Sequence, residues 1–245
     1  MKTIALISQK GGAGKTTLAL NLAVAAELHG HSCVVIDIDP QASAMGWQDT
    51  REKETPVVIS AQAVRINEIL QTAKEHGADL VIIDTAPHSD SAALQAARAA
   101  DLVIIPCKPS ILDLRAIATS VDIASMAKKP AVAILNSVPP RGSLTEEALE
   151  AIRSYGLEIV PEHLGQRAAF VHSLTVGQAV LEYEPSGKAA QEIETIYKWI
   201  CRFIGSYLKL HYFRTFFVQE TFLLFESKLT RFAYYRSPSA SNFSR

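Results

Sequence analysis

Apolar residues follow two alternating patterns along this chain. Short, nearly continuous apolar runs, rich in β-branched residues, are typical of strands buried on both faces of a sheet. Longer segments between them carry apolar residues at helical spacing. The predicted strands are Thr3–Ser8, Cys33–Asp37, Leu80–Asp84, Leu102–Cys107 and Ala131–Asn136, and the predicted helices are Lys15–His29, Ala61–His76, Asp90–Ala100, Asp113–Ala127 and Leu144–Tyr155. This alternation predicts an α/β fold, a mostly parallel twisted sheet flanked by helices.

Polar residues that could bind a ligand or take part in catalysis lie at or just after the ends of these predicted strands. The segment Gln9–Thr16 follows the first strand, Asp37 and Asp39 close the second, Asp84 closes the third and Asn136 closes the last. In parallel sheets, ligands bind at the carboxyl ends of the strands. We therefore expect these residues to meet at one edge of the sheet.

Composition narrows the class of protein. The chain has 245 residues, of which 48% are hydrophobic, so it can bury a substantial core. The formal net charge is −1, so any contact with nucleic acid would depend on a local basic patch. The three cysteines, Cys33, Cys107 and Cys201, show no CxxC spacing, which argues against a disulfide framework or a zinc site. The start of the chain lacks the features of a signal peptide, so a cytoplasmic location is expected.

The charge balance changes near the end of the chain. Residues 1–206 hold 18 Lys and Arg against 23 Asp and Glu, whereas residues 207–245 hold 6 against 2. We therefore predict one domain over 1–206 and an atypical basic, aromatic tail over 207–245, whose polar end predicts disorder. The tail could be an amphipathic membrane-binding segment, an extra docked helix, or translated sequence beyond the original stop.

A glycine-rich segment joins the first predicted strand to the first predicted helix. In such a turn the backbone N–H groups of Gly11, Gly12 and Gly14 can point at phosphate oxygens, and the helix N-terminus adds partial positive charge. Lys15 would then reach the β- and γ-phosphates, while the Thr16 hydroxyl would bind Mg²⁺. The predicted nucleotide-binding residues of this stretch are Lys10, Gly11, Gly12, Ala13, Gly14, Lys15, Thr16 and Thr17.

This loop departs from the generic phosphate-binding pattern at its first position, where Gln9 replaces glycine. The next residue, Lys10, adds a second lysine. The run from Lys10 to Thr17 resembles the deviant Walker A loop of the ParA/MinD superfamily of P-loop ATPases. The resemblance implies ATP and Mg²⁺ as cofactors.

Two further motifs extend the resemblance. Asp37-Ile-Asp-Pro-Gln41 is similar to the family's switch I, which implies that Asp39 orients the attacking water, although acids at a strand end also serve as caps. Leu80-Val-Ile-Ile-Asp-Thr-Ala-Pro87 resembles a Walker B strand and switch II, which implies that Asp84 supports Mg²⁺. Asn136 matches the family's adenine-contacting position, but could instead cap a loop. The implied metal site comprises Thr16, Asp39 and Asp84.

The resemblance covers residues 1 to about 205. It includes Val103–Leu114, Gln166–Phe170 and Val180–Ile193, which are typical of ParA proteins rather than of P-loop proteins in general. The chain opens directly on the phosphate-loop strand, as in the short plasmid type without an N-terminal helix-turn-helix domain. Operator reading by this chain is therefore not expected.

The family's mechanism implies an ATP-bound homodimer in which Lys10 of each protomer reaches the partner's phosphates. It also implies slow hydrolysis, stimulation by a ParB-like partner, and a nucleoid-associated location in the cytoplasm. Binding to non-specific DNA would use basic residues on the dimer face, although each could belong to a solvated helix face. The candidates for DNA contact are Arg167, Lys188, Lys198 and Arg202.

Three other classes compete with this interpretation. A MinD-like, membrane-cycling ATPase would need the tail to bind lipid. An ATP-dependent protein of the nitrogenase iron-protein kind would need cluster cysteines, which Cys33, Cys107 and Cys201 do not supply. A P-loop phosphotransferase would need an arginine-bearing lid and an acceptor site, and neither is evident in the sequence.

Overall fold

The computed structural model describes residues 1–141 and 144–205, apart from the side chains of 111–115. Residues Met1–Ile200 form one compact unit. The domain boundary predicted at 206 and the tail 207–245 lie outside the described residues. No helix in the described part of the chain is long and apolar enough to cross a membrane.

Seven parallel strands form the central sheet, in the order β3-β2-β4-β1-β5-β6-β7. The fold class predicted from the sequence is confirmed, and every strand pair in the described sheet is parallel. The strands are β1 Lys2–Leu6, β2 Cys33–Asp37, β3 Val57–Ser60, β4 Leu80–Asp84, β5 Leu102–Cys107, β6 Ala131–Leu135 and β7 Glu158–Ile159.

Helices connect the strands and cover both faces of the sheet. A short 3-10 turn, Ala63–Arg65, precedes α3. The helices with defined ends are α1 Lys15–Leu28, α2 Ser43–Thr50, α3 Ile66–Glu75, α4 Asp90–Ala99, α5 Ile111–Ala127, α6 Leu144–Ser154, α7 Ala168–Thr175 and α8 Val180–Tyr183. A further helix, α9, begins at 188 and continues through 205, where the described residues end.

The sheet is buried on both faces because successive side chains of a strand point in opposite directions. Val81 and Ile83 of β4 belong to the core between the sheet and helices α3, α4, α5 and α6. Ile82, between them, is equally buried but points to the other face, where α1 packs against β2 and β4. This is why the predicted strands lack the polar alternation of a sheet with one wet face.

The predicted elements agree with the structure in place and type, and differ at their ends. The first strand ends at Leu6 rather than Ser8, and Asn136 follows β6 rather than closing it. Strands β3 and β7 and helices α2, α7 and α8 were not predicted. These elements are short: β3, β7 and α8 have four or fewer residues, and α2 and α7 have eight. Segments of this length show too little periodicity to be distinguished from a loop.

Candidate nucleotide site

The glycine loop joins the buried end of β1 to the start of α1, at the carboxyl edge of the sheet. Gly12 and Gly14 have φ angles of +73° and +96°, which side chains rarely adopt. At Gly14 a β-carbon would also stand 2.0 Å from Asn136 Nδ2, so no side chain fits. Gln9 lies outside the left-handed region, which explains how the loop tolerates a residue other than glycine there.

Lys15 is the buried lysine of this loop. Its side chain is only 6% exposed, and Nζ donates a hydrogen bond to the Ser8 carbonyl at 3.1 Å. Burial lowers the pKa of the ammonium, while the charges of Asp84 and Asp39 oppose that shift. Lys15 thus folds back along the loop, as a lysine that binds phosphate groups cradled by the same loop must do.

Thr16 and Asp84 form the inner wall of the site. The Thr16 hydroxyl donates to Asp84 Oδ2 at 2.6 Å. The other carboxylate oxygen, Oδ1, is buried and has no hydrogen-bond partner among the described residues. Burial raises the Asp84 pKa to about 7, helped by the charges of Asp37 and Asp39 and opposed by the Thr16 hydrogen bond and the charge of Lys15.

These two residues fit a magnesium ion. Mg²⁺ prefers hard oxygen ligands, and a hydroxyl beside a carboxylate with a free oxygen supplies them directly or through water. A cation here would also compensate the buried charge that raises the Asp84 pKa. Within the described part of the chain, no group of three or more His, Cys, Asp or Glu side chains offers an alternative metal site.

The two acids at the end of β2, Asp37 and Asp39, occupy different environments. Asp37 is fully buried and accepts hydrogen bonds from the backbone N–H groups of Asp39 at 3.0 Å, Ala44 at 3.0 Å and Met45 at 3.4 Å. Burial raises its pKa, and these N–H groups oppose the shift. Asp37 therefore supports the start of α2, which agrees with the capping role that the sequence left open.

Asp39 is more accessible than Asp37. One of its oxygens, Oδ1, accepts the Gln41 N–H at 2.9 Å, and the side chain is only half-buried. Its charge acts on both Lys15 and Asp84, so it belongs to the same edge of the sheet. Of the two predicted acids, Asp39 is the one that a water or a phosphate can reach.

Asn136 fixes the glycine loop. Its Nδ2 donates to the Ala13 carbonyl at 2.7 Å, and its Oδ1 accepts the Ser137 N–H at 2.8 Å. The Asn136 amide thus joins the end of β6 to the loop, and this role does not depend on contact with the adenine base. Beside it opens a cleft of about 600 Å³. The cleft is lined by Gly12, Gly14, Thr17, Asn136, Ser137, Gly165, Gln166, Arg167, Phe170, Val171, Leu174 and Thr175.

The four predicted DNA-contacting residues lie in different surroundings. Arg167 pairs with the buried carboxylate of Glu192 on α9, with Nε 3.0 Å from Oε1. Lys188 is exposed and precedes Glu192 by one turn of α9.

Lys198 and Arg202, the other two candidates, both belong to α9. Lys198 pairs with Glu194 at 2.9 Å, and Arg202 is exposed. All four candidates are thus carried by α9 or paired with it.

Two features of the site region were not predicted from the sequence. Lys108, which follows β5, lies next to Gly12 of the loop. A buried ion pair joins Arg51, just after α2, to Glu182 of α8. Both depend on contacts between distant parts of the chain, and no local pattern signals them. Cys33, Cys107 and Cys201 form no disulfide bond with one another.

A parallel sheet with a glycine loop between β1 and α1, a buried lysine and a hydroxyl–carboxylate pair defines a P-loop nucleotide-binding protein. The chain belongs to the CobQ/CobB/MinD/ParA nucleotide-binding domain family, whose sequence model matches residues 4–179.

Relatives in this family cover most of the chain. Two are named maintenance of carboxysome distribution protein A. The one from Halothiobacillus neapolitanus is 29% identical over 205 residues, covering 79% of this chain and 94% of its own. The one from Gloeobacter kilaueensis is 34% identical over 203 residues, covering 80% and 91%. The ATP complex of McdA from Cyanothece shares the fold, with a TM-score of 0.69 at 16% identity over 84% of this chain and 96% of that one.

Proposed function

We propose that this protein is an ATP-hydrolysing dimerisation switch that helps to segregate or position a large cargo. One observation carries the proposal: of the two lysines of the loop, one is buried and the other is partly exposed to solvent. Lys15 is buried against the loop, whereas Lys10 is half-exposed next to the exposed Gly11 and Gly12. Among the described residues the Lys10 ammonium has no hydrogen-bond or ion-pair partner, which suits a contact made with a second protomer.

Each residue of the site then has a role in binding or hydrolysing ATP. The loop N–H groups and Lys15 hold the phosphates, and the cleft beside Asn136 accommodates the base. Thr16 and Asp84 would hold Mg²⁺, which neutralises phosphate charge when bound. Asp39 would orient the attacking water, and Lys10 of the partner protomer would stabilise charge on the transferred phosphoryl group.

We propose that the ATP-bound dimer binds DNA without sequence preference. Lys188, Lys198 and Arg202 lie on α9, where Lys198 pairs with Glu194, and Arg167, just before α7, pairs with Glu192 of α9. Contacts of this kind neutralise phosphates and are sensitive to salt. We propose a cytoplasmic, nucleoid-associated protein stimulated by a ParB-like partner, with plasmid or chromosomal DNA as the cargo.

A second candidate cargo follows from the relatives named above. Both are named for maintaining carboxysome distribution. A protein-bounded compartment could therefore replace DNA as the positioned object, with the same ATP switch. Finding which protein binds the ATP form and stimulates hydrolysis would separate the two cargoes. A MinD-like membrane cycle depends on the tail, which lies outside the described residues.

The dimer switch is tested by comparing three lysine variants. Lys15→Ala should weaken ATP binding about a thousandfold, while Lys10→Ala should keep ATP binding and lose both dimerisation and hydrolysis. Lys2→Ala is the matched control. Lys2 is exposed and starts β1, so it lies at the end of this strand that is away from the loop. Light scattering with ATP, a non-hydrolysable analogue and ADP measures dimerisation. A Lys10→Ala protein that dimerises and hydrolyses ATP like the wild type contradicts the proposal.

The choice of surface has a separate test. ATP-bound protein should shift random-sequence DNA in a gel, and Lys188→Ala should weaken binding and lower its salt dependence. Lys74→Ala, an exposed lysine of α3, serves as the control. Binding to anionic lipid vesicles without binding to DNA would favour the membrane-cycling alternative instead.

A further inference from the structure

Lys108 presents a third lysine to the phosphate loop. It follows β5, and β5 pairs with β1, the strand that leads into the loop. Its Nζ lies 3.9 Å from the point where a β-carbon on Gly12 would stand. The side chain is half-buried, and among residues 1–110, 116–141 and 144–205, whose side chains the structure describes, its ammonium has no hydrogen-bond or ion-pair partner.

The backbone around Lys108 is held on both sides. The Cys107 carbonyl accepts the Asn136 N–H at 2.8 Å, and the Lys108 carbonyl accepts the Ser110 N–H, also at 2.8 Å. The first bond ties this segment to the residue that fixes the loop at Ala13. Lys108 therefore starts from a defined position beside the loop.

The order of the strands separates this lysine from the acids of the site. Asp37 ends β2, Asp39 follows it and Asp84 ends β4, so all three lie on the β4 side of β1, whereas Lys108 lies on the β5 side. A third ammonium beside a loop that already carries two lysines adds positive charge, which favours the binding of an anion there. The free space beside Gly12 is where the outer phosphates of a nucleotide would lie, because Gly14 and Lys15 are closer to the helix.

We propose that Lys108 binds the terminal phosphate of the nucleotide held by its own protomer, and thereby favours the triphosphate over the diphosphate. The proposal rests on the function proposed above. Lys108 acts from the flank opposite Thr16 and Asp84, so the outer phosphate is contacted by the metal site on one side and by this ammonium on the other. It differs from Lys10, which reaches the partner's nucleotide.

The test compares nucleotide affinities in a protein that cannot dimerise. In a Lys10→Ala background, Lys108→Met should bind a non-hydrolysable ATP analogue about tenfold more weakly, with ADP affinity changed by less than about threefold, as expected for one charge-assisted hydrogen bond. Lys108→Arg should restore most of the preference. Lys74→Met is the matched control, and the midpoint of urea unfolding should stay the same in all variants.

Two outcomes would overturn the assignment. An unchanged ATP affinity of Lys108→Met would show that the ammonium does not reach the nucleotide. An equal loss for ATP and ADP would show that Lys108 does not select the terminal phosphate. Failure of the proposed function looks different, because it shows as a Lys10→Ala protein that dimerises and hydrolyses ATP like the wild type, whatever the effect of Lys108→Met on nucleotide affinity.

Discussion

The structure holds two buried clusters of charge, the Arg51–Glu182 pair and the Thr16–Asp84 pair, and they differ in how many hydrogen bonds and opposite charges each carboxylate receives. In the first, Arg51 and Glu182 have side chains that are 3% and 7% exposed and are joined by two hydrogen bonds of 2.8 Å. Arg51 also donates to the Gly177 carbonyl at 2.9 Å and the Thr55 carbonyl at 2.8 Å, and lies 4.7 Å over the Trp47 ring.

Glu182 is equally well satisfied. It accepts hydrogen bonds from the Ala179 N–H at 3.1 Å and from Lys53 at 2.9 Å, besides Arg51. Burial raises the pKa of this carboxyl, but the hydrogen bonds from Arg51, Lys53 and Ala179 outweigh burial and lower it to about 2.

The Thr16–Asp84 pair has the opposite character. Asp84 is more deeply buried than Glu182, yet its only hydrogen bond from a described side chain comes from Thr16, and burial raises its pKa to about 7. The first cluster is complete within the chain and holds α2 to α8. In the second, Asp84 Oδ1 has no hydrogen-bond partner among the described residues. The comparison teaches that buried charge alone does not mark a candidate site, whereas a buried carboxylate oxygen without a hydrogen-bond partner does.

Removing the lysine of the incomplete site should have the largest effect. Lys15→Ala should weaken ATP binding about a thousandfold, because it removes a buried cation that faces the phosphates. The unfolding free energy without nucleotide should change far less. A fluorescent ATP analogue measures binding, and urea unfolding of the same preparation measures stability. Retention of wild-type ATP affinity would contradict the site as described.

Breaking the complete cluster should have the next largest effect, and on stability rather than on binding. Glu182→Gln should cost about 3 kcal/mol of unfolding free energy, because it leaves Arg51 buried without its charge partner. Urea unfolding measures the loss. Arg65→Ala is the control, since Arg65 and Glu68 form an exposed pair on the surface; similar losses in both variants would show that the Arg51 pair is not special.

The two clusters should also respond to pH in opposite directions. The Glu182 pKa is lowered from 4.5, so its contribution is present above about pH 4.5 and is lost as the pH falls toward 2. The Asp84 pKa is raised from 3.8 to about 7, so the folded state holds the proton more tightly, and the metal-free protein should lose stability as the pH rises through that window.

Asp84→Asn separates these two effects. In metal-free protein at pH 8 the variant should be as stable as the wild type or about 1 kcal/mol more stable, because it removes a buried negative charge that the protein compensates only in part. It should also flatten the stability profile between pH 4 and 7. Urea unfolding in EDTA across this range is the measurement. A loss as large as that of Glu182→Gln would remove the distinction between the clusters.

The smallest effect is expected at the edge of the complete cluster. Lys53 also pairs with Glu182, but its side chain is 64% exposed. Lys53→Ala should therefore cost less than about 0.5 kcal/mol, since water and salt screen an exposed ammonium. Unfolding at low and high salt checks this: a large, salt-insensitive loss would show that Lys53 acts as a buried partner.

Local patterns determined most of the fold and the phosphate site. The five predicted strands are present because each is a contiguous apolar run, and the loop from Lys10 to Thr16 lies between a strand and a helix as its motif requires. The roles of Lys10, Asp39 and the DNA-contacting residues stay predictions. Short elements such as β3 and α8 could not be foreseen, because four residues carry little periodicity and are stabilised by their neighbours.

What only the tertiary structure decided is which distant residues meet. The strand order brings Lys108 beside Gly12 and Asn136 onto the Ala13 carbonyl, and the packing of the helices pairs Arg51 with Glu182. The sequence by itself could determine which elements form, because periodicity and loop chemistry are local. Whether a buried charge has a partner depends on contacts across the sheet and between helices. Those contacts distinguish the Arg51–Glu182 ion pair from Asp84, which has one carboxylate oxygen without a hydrogen-bond partner among the described residues.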